Sequence, residues 1–244
     1  MTARRHAGVA LLSCWRSSRT ARQQAALPGR WRASITARRI ASMTACHYAG
    51  RMITAFVNTK GGVAKTTSVM MTALQLVRLG RSVTVLDLDP QGSASEWARI
   101  AEEDGTPLPF EVRPANVASL RGYKPTTDAT LIDTPPGSAS AIDLALQLAD
   151  VVVIPSPAGL MDTDRTWETA GVTAPAVPTY VLVTKHDART KDGLEFIEAL
   201  DEQGVARFET VIPARVAMGR VRGTVADPTK FKYDDFTREL LEVL

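Results

Sequence analysis

Cysteine is nearly missing from this chain. Its two copies, Cys14 and Cys46, both precede Met52. Neither a disulfide nor a cysteine-held metal can therefore support the residues from Met52 onward. Acidic residues are missing from the first 52 positions, where ten arginines stand without one Asp or Glu. The remaining 192 residues hold 19 Lys or Arg against 26 Asp or Glu, a net of −7 that the overall formal charge of +3 conceals. Long apolar runs are missing too. None approaches the roughly 18 residues a membrane-crossing helix needs, so a soluble, cytoplasmic protein is expected. What is present is a 244-residue chain with 45% hydrophobic residues, enough for one α/β domain with a real core.

Residues 1–51 have no sustained helical or strand period. Their apolar run AGVALLSCW is short for a secretory signal and lacks a convincing cleavage site. An acid-free, Arg-rich segment suits a basic arm on phosphates or an organelle transit peptide. The foremost expectation is a disordered basic extension, or a start placed upstream of Met43 or Met52. The organised domain is expected to be 52–244.

From Met52 onward apolar strand-like runs alternate with helical patterns. MITAFVN (52–58), SVTVLDLD (82–89), ATLIDTPPG (129–137), DVVVIPSP (150–157), TYVLVTK (179–185) and RFETVIP (207–213) read as strands. TTSVMMTALQLVRLG, stopping at Gly80, SASEWARIAEE and RTKDGLEFIEALDEQG read as helices. Strands apolar on both faces imply an α/β fold, a mostly parallel twisted sheet with helices on both sides. Ligands bind such sheets at the carboxyl ends of the strands.

Three motifs sit there. In FVNTKGGVAKTT, the backbone N–H groups from Lys60 through Gly61, Gly62, Val63, Ala64 and Lys65 to Thr66 can curl around a phosphate at a helix N-terminus, and Thr67 is a further nucleotide-binding candidate. Lys65 adds a point charge for β- and γ-phosphates, and the Thr66 hydroxyl can ligate Mg²⁺. In VLDLDPQGSASEW, Asp87 and Asp89 are two apart at a strand end and so share one side of it. ATLIDTPPG ends its strand in Asp133.

NTKGGVAKTT resembles the deviant Walker A motif, KGGxGK[ST], of the ParA/MinD family of P-loop ATPases, and the resemblance spans about Met52 to Leu244. It implies a Mg²⁺-dependent ATPase in which Lys60, Lys65 and Asp89 are catalytic. Lys60 would reach across a homodimer to the partner's ATP, as an arginine finger does. Asp89 would activate water, while Thr66, Asp87 and Asp133 would serve the Mg²⁺. Pro213, in TVIPARVAM, would lie near the adenine, with the 183–190 stretch also approaching the base; lone His186 is expected as a solvated loop residue. VVVIPSPAGLMD resembles the strand end beside the dimer interface.

One residue departs from the family pattern. Ala64 stands where glycine lets the backbone approach phosphate or take φ > 0. Its methyl is either a steric compromise or a change to which the loop has adjusted, and a non-hydrolysing binding module is one alternative reading. The closing YDDFTRELLEVL has Phe236, Leu240, Leu241 and Leu244 on one face and mostly acidic charge, suited to packing on the body rather than to lipid. Arg215, Arg220, Arg222, Lys230 and Lys232 are the candidates for nonspecific contact with duplex DNA phosphates. The resemblance is closest to small ParA-type partition ATPases. It implies association with the bacterial nucleoid and stimulation by a small centromere-binding, ParB-like adaptor. A related ATPase that positions a protein assembly is the alternative.

Overall fold

Buried strands organise the chain. The computed structural model describes residues 50–159 and 163–244. The expected basic extension lies almost wholly outside the described residues, as do Leu160, Met161 and Asp162 of the stretch expected at a dimer interface. Six strands form one sheet in the order β3-β2-β4-β1-β5-β6. They are β1 Met52–Phe56, β2 Val83–Asp87, β3 Glu111–Pro114, β4 Ala129–Asp133, β5 Val151–Pro157 and β6 Thr179–Thr184, and every neighbouring pair is parallel.

Strands β1, β2 and β4 are buried at every position, as expected of largely apolar runs covered on both faces, with one buried Thr in each and Asp87 and Asp133 closing β2 and β4. Successive residues alternate between two cores. Phe56, Val85 and Leu131 face a core built with helix α1 (Lys65–Arg78), helix α2 (Ser93–Glu103) and helix α6 (Tyr233–Val243). Ala55, Leu86 and Ile132 face the other, built with helices α3 (Ala139–Leu148), α4 (Thr163–Thr173) and α5 (Lys191–Glu202). Both faces are thus covered by helices, as the sequence pattern implies.

Helix α6 packs on the body through Tyr233, Phe236 and Leu240, with Leu241 and Leu244 at its margin. The Tyr233 hydroxyl shares a 3.0 Å hydrogen bond with Ser68 of α1. Among the described residues, no helix is long and apolar enough to cross a membrane.

The strand expectations need one exchange. RFETVIP is not a continuous strand: it meets β6 at the single bridge Val181–Arg207 and through the Ile212 N–H on the Val183 carbonyl (2.9 Å), and the loop after β6 at the bridge His186–Pro213. Between them the Glu239 carboxylate of α6 takes the N–H of Glu209 (2.8 Å) and of Thr210 (3.0 Å), which bows the segment off the ladder. The edge strand β3, EVRP, is hidden in the sequence because its residues are half or fully exposed and two of the four are charged, so no apolar run marks it. His186 also differs from expectation. Its ring packs over Gly193 of α5, where an added Cβ would stand 2.3 Å from the imidazole Nδ1. Its backbone holds the 212–214 segment, donating to the Ile212 carbonyl (3.0 Å) and accepting from the Ala214 N–H (2.8 Å).

Parallel register sets the site. Phe56 and Asp87 both stand opposite Asp133, so the carboxyl ends of β1, β2 and β4 are level. The loops after all three open into one place.

Candidate active site

A cleft of about 790 Å³ opens beyond those strand ends. Gly61, Gly62, Ala64, Lys65, Thr66 and Thr67 form one wall, with Asp89 beside them. Pro213, Arg215 and Arg222 line the far side, together with Thr184, Lys185, Asp187 and Arg189 from the end of β6. The sequence motifs thus converge. Lys60, Val63, Asp87 and Asp133 support the cleft without lining it, and Arg220, Lys230 and Lys232 lie outside it. Arg215 and Arg222, expected on a DNA surface, border the same cleft as the phosphate loop.

The loop between β1 and α1 is wound by two left-handed residues, Gly62 at φ 73° and Ala64 at φ 72°. Left-handed residues set among right-handed ones curl successive N–H groups inward into an anion-binding concavity. Ala64 is also the N-cap of α1 and offers no side-chain cap. The first N–H groups of that helix are therefore left for an anion, at the positive end of its dipole. Glycine takes this conformation freely, whereas an L-residue with a Cβ takes it at a cost of roughly 1–2 kcal/mol. Ala64 is therefore a point of backbone strain, and its departure from the family pattern acts on φ.

The outward-turned carbonyls are tied. Lys65 Nζ donates to the Lys60 carbonyl (2.9 Å), Lys185 Nζ to that of Gly62 (2.6 Å) and Thr184 Oγ1 to that of Val63 (3.2 Å). Lys65 is 7% exposed, and burial lowers the pKa of its amine against the opposing pull of Asp133 and Asp89. Lys60 lies exposed at the rim, its N–H held by Asn58 Oδ1 at 2.9 Å. Lys185 and Thr184 escape a sequence reading of the loop, their one signal being a lysine directly after an apolar strand.

The carboxylates divide by environment. Asp133 is fully buried; Oδ2 accepts from the Thr66 hydroxyl at 2.6 Å, while Oδ1 has no hydrogen-bond partner among the described residues. Burial pushes its carboxyl up to about 7, only partly offset by the Thr66 hydrogen bond. A hydroxyl and a carboxylate side by side, with one carboxylate oxygen unspent, form a hard-oxygen set suited to Mg²⁺ with phosphate and water. Asp87 is fully engaged: Oδ2 takes the N–H and hydroxyl of Ser95 (2.8 and 2.7 Å), and Oδ1 takes the Asp89 N–H (3.2 Å). It thereby caps the start of α2 and places the Asp89 turn. Asp89 itself is half-buried, its Oδ1 accepting from the Gln91 N–H at 2.9 Å.

The basic segment is anchored to the same helix. Trp97 of α2 donates its indole N–H to the Thr224 carbonyl (3.1 Å), and Gly223, at φ 77°, lies so close that a Cβ would meet Ile100 at 2.3 Å. Arg215, Arg220, Arg222, Lys230 and Lys232 are all exposed, and none forms an ion pair among the described residues.

The strain and the burial each have a measurable consequence. Ala64→Gly removes the left-handed penalty but adds unfolded-state entropy. It should raise stability by about 0.5–1 kcal/mol without nucleotide, read as a higher thermal midpoint; a lower midpoint contradicts the strained geometry. For Asp133 the folded pKa lies above the unfolded one. The folded state therefore keeps the proton between about pH 4 and pH 7, and stability falls as pH rises through that window. Without metal or nucleotide, Asp133→Asn should lack this fall and gain on the parent, by on the order of a few kcal/mol near pH 8. Parallel midpoint-versus-pH curves would contradict the burial of an unneutralised carboxyl.

Comparison with known proteins agrees with this architecture. Residues 54–223 match the CobQ/CobB/MinD/ParA nucleotide binding domain family. The chain is 36% identical over 176 residues to maintenance of carboxysome distribution protein A of Gloeobacter kilaueensis, covering 69% of this chain and 79% of that protein. It is 31% identical over 204 residues to the chromosome-partitioning ATPase Soj of Thermus thermophilus, covering 67% and 82%. A putative plasmid partition protein of Borrelia burgdorferi, bound to AMPPNP, superposes with a TM-score of 0.62 at 18% identity over 79% of this chain and 98% of that one. The septum site-determining protein MinD of Pyrococcus horikoshii, complexed with Mg-ADP, gives 0.62 at 15% identity over 79% and 97%. These two likenesses speak for the fold alone. The family match and the two sequence relatives, taken with the wound loop and its lysines, place the chain in the CobQ/CobB/MinD/ParA nucleotide-binding domain family, as an ATPase of the ParA/MinD type.

Proposed function

We propose that the protein is an ATP-dependent partition ATPase whose ATP-bound dimer holds DNA nonspecifically and releases it after hydrolysis. In this reading the inward N–H groups of the loop and Lys65 take the phosphates of ATP. Thr66 and Asp133 would hold Mg²⁺, which would supply positive charge against the phosphates, and Asp87 would serve that shell indirectly by holding its surroundings. Asp89 positions the attacking water. Lys60, exposed at the rim, reaches the partner's nucleotide and makes dimerisation depend on ATP. Pro213 and its neighbours border the base.

The observation that carries the reading is the placement of exposed cations, none in an ion pair among the described residues, on a segment seated on α2, the helix that begins just after Asp89. Contacts from such residues go to phosphates and carry no sequence information, which suits a dimer that coats DNA. A centromere-binding adaptor would then trigger hydrolysis. A second reading, positioning of a protein assembly, draws support from the likeness to a carboxysome distribution protein. Both readings use the same ATP-gated dimer and differ in the adaptor.

The test is retention on nonspecific duplex DNA, with phosphate release measured in parallel. The parent chain should bind in ATP and Mg²⁺, release in ADP, and weaken steeply with salt. Reversal of Arg220 and Lys230 to Glu, both outside the cleft, should weaken DNA binding at least about tenfold and flatten the salt slope by about two. ATPase activity without DNA should be unchanged. Undiminished DNA binding by the double variant would move the contact elsewhere and remove the support for this segment.

A further inference from the structure

We propose that Lys185 and Thr184, at the end of β6, are positioning residues that hold the phosphate loop in shape around a strained Ala64. A loop that turns its N–H groups inward turns its carbonyls outward, and each of those requires a donor elsewhere. Two consecutive loop carbonyls find theirs on β6: Gly62 receives Lys185 Nζ at 2.6 Å, and Val63 receives Thr184 Oγ1 at 3.2 Å. These contacts join parts of the chain 123 and 121 residues apart. They grip the two residues immediately before Ala64.

The third tie behaves differently. Lys65 Nζ holds the Lys60 carbonyl at 2.9 Å, yet Lys65 is also the amine that must turn to the phosphates. Nucleotide entry therefore removes one tie and leaves the two from β6. Those two keep the loop wound with and without nucleotide. Lys185 is itself left-handed, at φ 52°, so its contact with Gly62, at φ 73°, joins two left-handed residues, the second of them two positions before Ala64. Strained conformations persist only where the surroundings over-determine them, and they gather at functional sites. Glycine at position 64 needs no such support, whereas alanine does. The tethers thus replace part of what glycine would provide through its own conformational freedom.

The inference rests on the reading that this loop takes nucleotide phosphates, and its test is built to fail separately. Lys185→Met keeps the aliphatic stem and removes the ammonium; Lys185→Arg keeps a donor. Both are made with Ala64 and with Ala64→Gly in the full chain. Without nucleotide, Lys185→Met should lower the thermal midpoint by about 2–4 °C when Ala64 is present and by clearly less with glycine there. Affinity for ADP and ATP with Mg²⁺ should fall about tenfold for Lys185→Met, with kcat at saturating ATP within about twofold. Lys185→Arg should restore most of the affinity. The affinity loss should likewise shrink beside Ala64→Gly. Equal losses in both backgrounds, in midpoint and in affinity, would overturn the tether. A fall in kcat that exceeds the change in KM would also overturn it, making Lys185 a group that acts on the transition state. Because the nucleotide-free midpoints depend on the tether alone, a parent that binds no nucleotide would refute the functional reading and still leave the tether to be judged by those midpoints.

Discussion

Winding the backbone from Gly61 to Thr66 so that successive N–H groups turn inward is the constraint on which the cleft depends. Nothing in a β-strand or an α-helix provides that geometry. It needs left-handed backbone at Gly62 and Ala64, donors for the carbonyls turned outward, and a helix whose first turn is left uncapped. The sheet supplies the frame. Parallel register sets Phe56, Asp87 and Asp133 level, so β1 delivers the loop while β2 and β4 deliver carboxylates at the same depth. A one-residue slip of β4 would turn Asp133 to the opposite face.

Charge is distributed around this loop with unequal freedom. Lys65 and Asp133 are both buried, and burial opposes the charged form of each, so ligands of opposite charge would offset that cost. Asp87 is spent on the start of α2, which makes that helix the mechanical neighbour of the turn that carries Asp89. At its other end α2 carries Trp97 and Ile100, against which the 221–224 turn of the basic segment is seated. One rigid helix therefore spans from the Asp89 turn to the cations proposed to meet DNA.

Much of this architecture is legible from residue order. Strands buried on both faces cannot hide in a sequence, because every position must be apolar or small, and β1, β2, β4 and β5 read directly. The phosphate loop and its lysines are equally plain, since no ordinary turn requires Lys-Thr-Thr at a helix start. What stays hidden depends on partners distant in sequence. EVRP is a strand only because β2 lends it hydrogen bonds, and RFETVIP is interrupted where Glu239 captures the N–H groups of Glu209 and Thr210. The tie from Lys185 to Gly62 spans 123 residues and leaves no periodic trace. His186 reads as a loop residue because the notch above Gly193 exists only once α5 is packed. Ala64 stands out as a departure in the sequence, but whether it acts through sterics or through φ requires the backbone itself.

In the proposed mechanism the wound loop is one half of a shared site, completed by Lys60 from a second copy of the chain. Mass in solution, measured by light scattering with Mg²⁺ and either ATP or ADP, tests that most directly. The parent should double in mass with ATP and remain a monomer with ADP. Lys60→Ala should still bind ATP yet stay a monomer. A Lys60→Ala chain that dimerises with ATP as the parent does would contradict the mechanism.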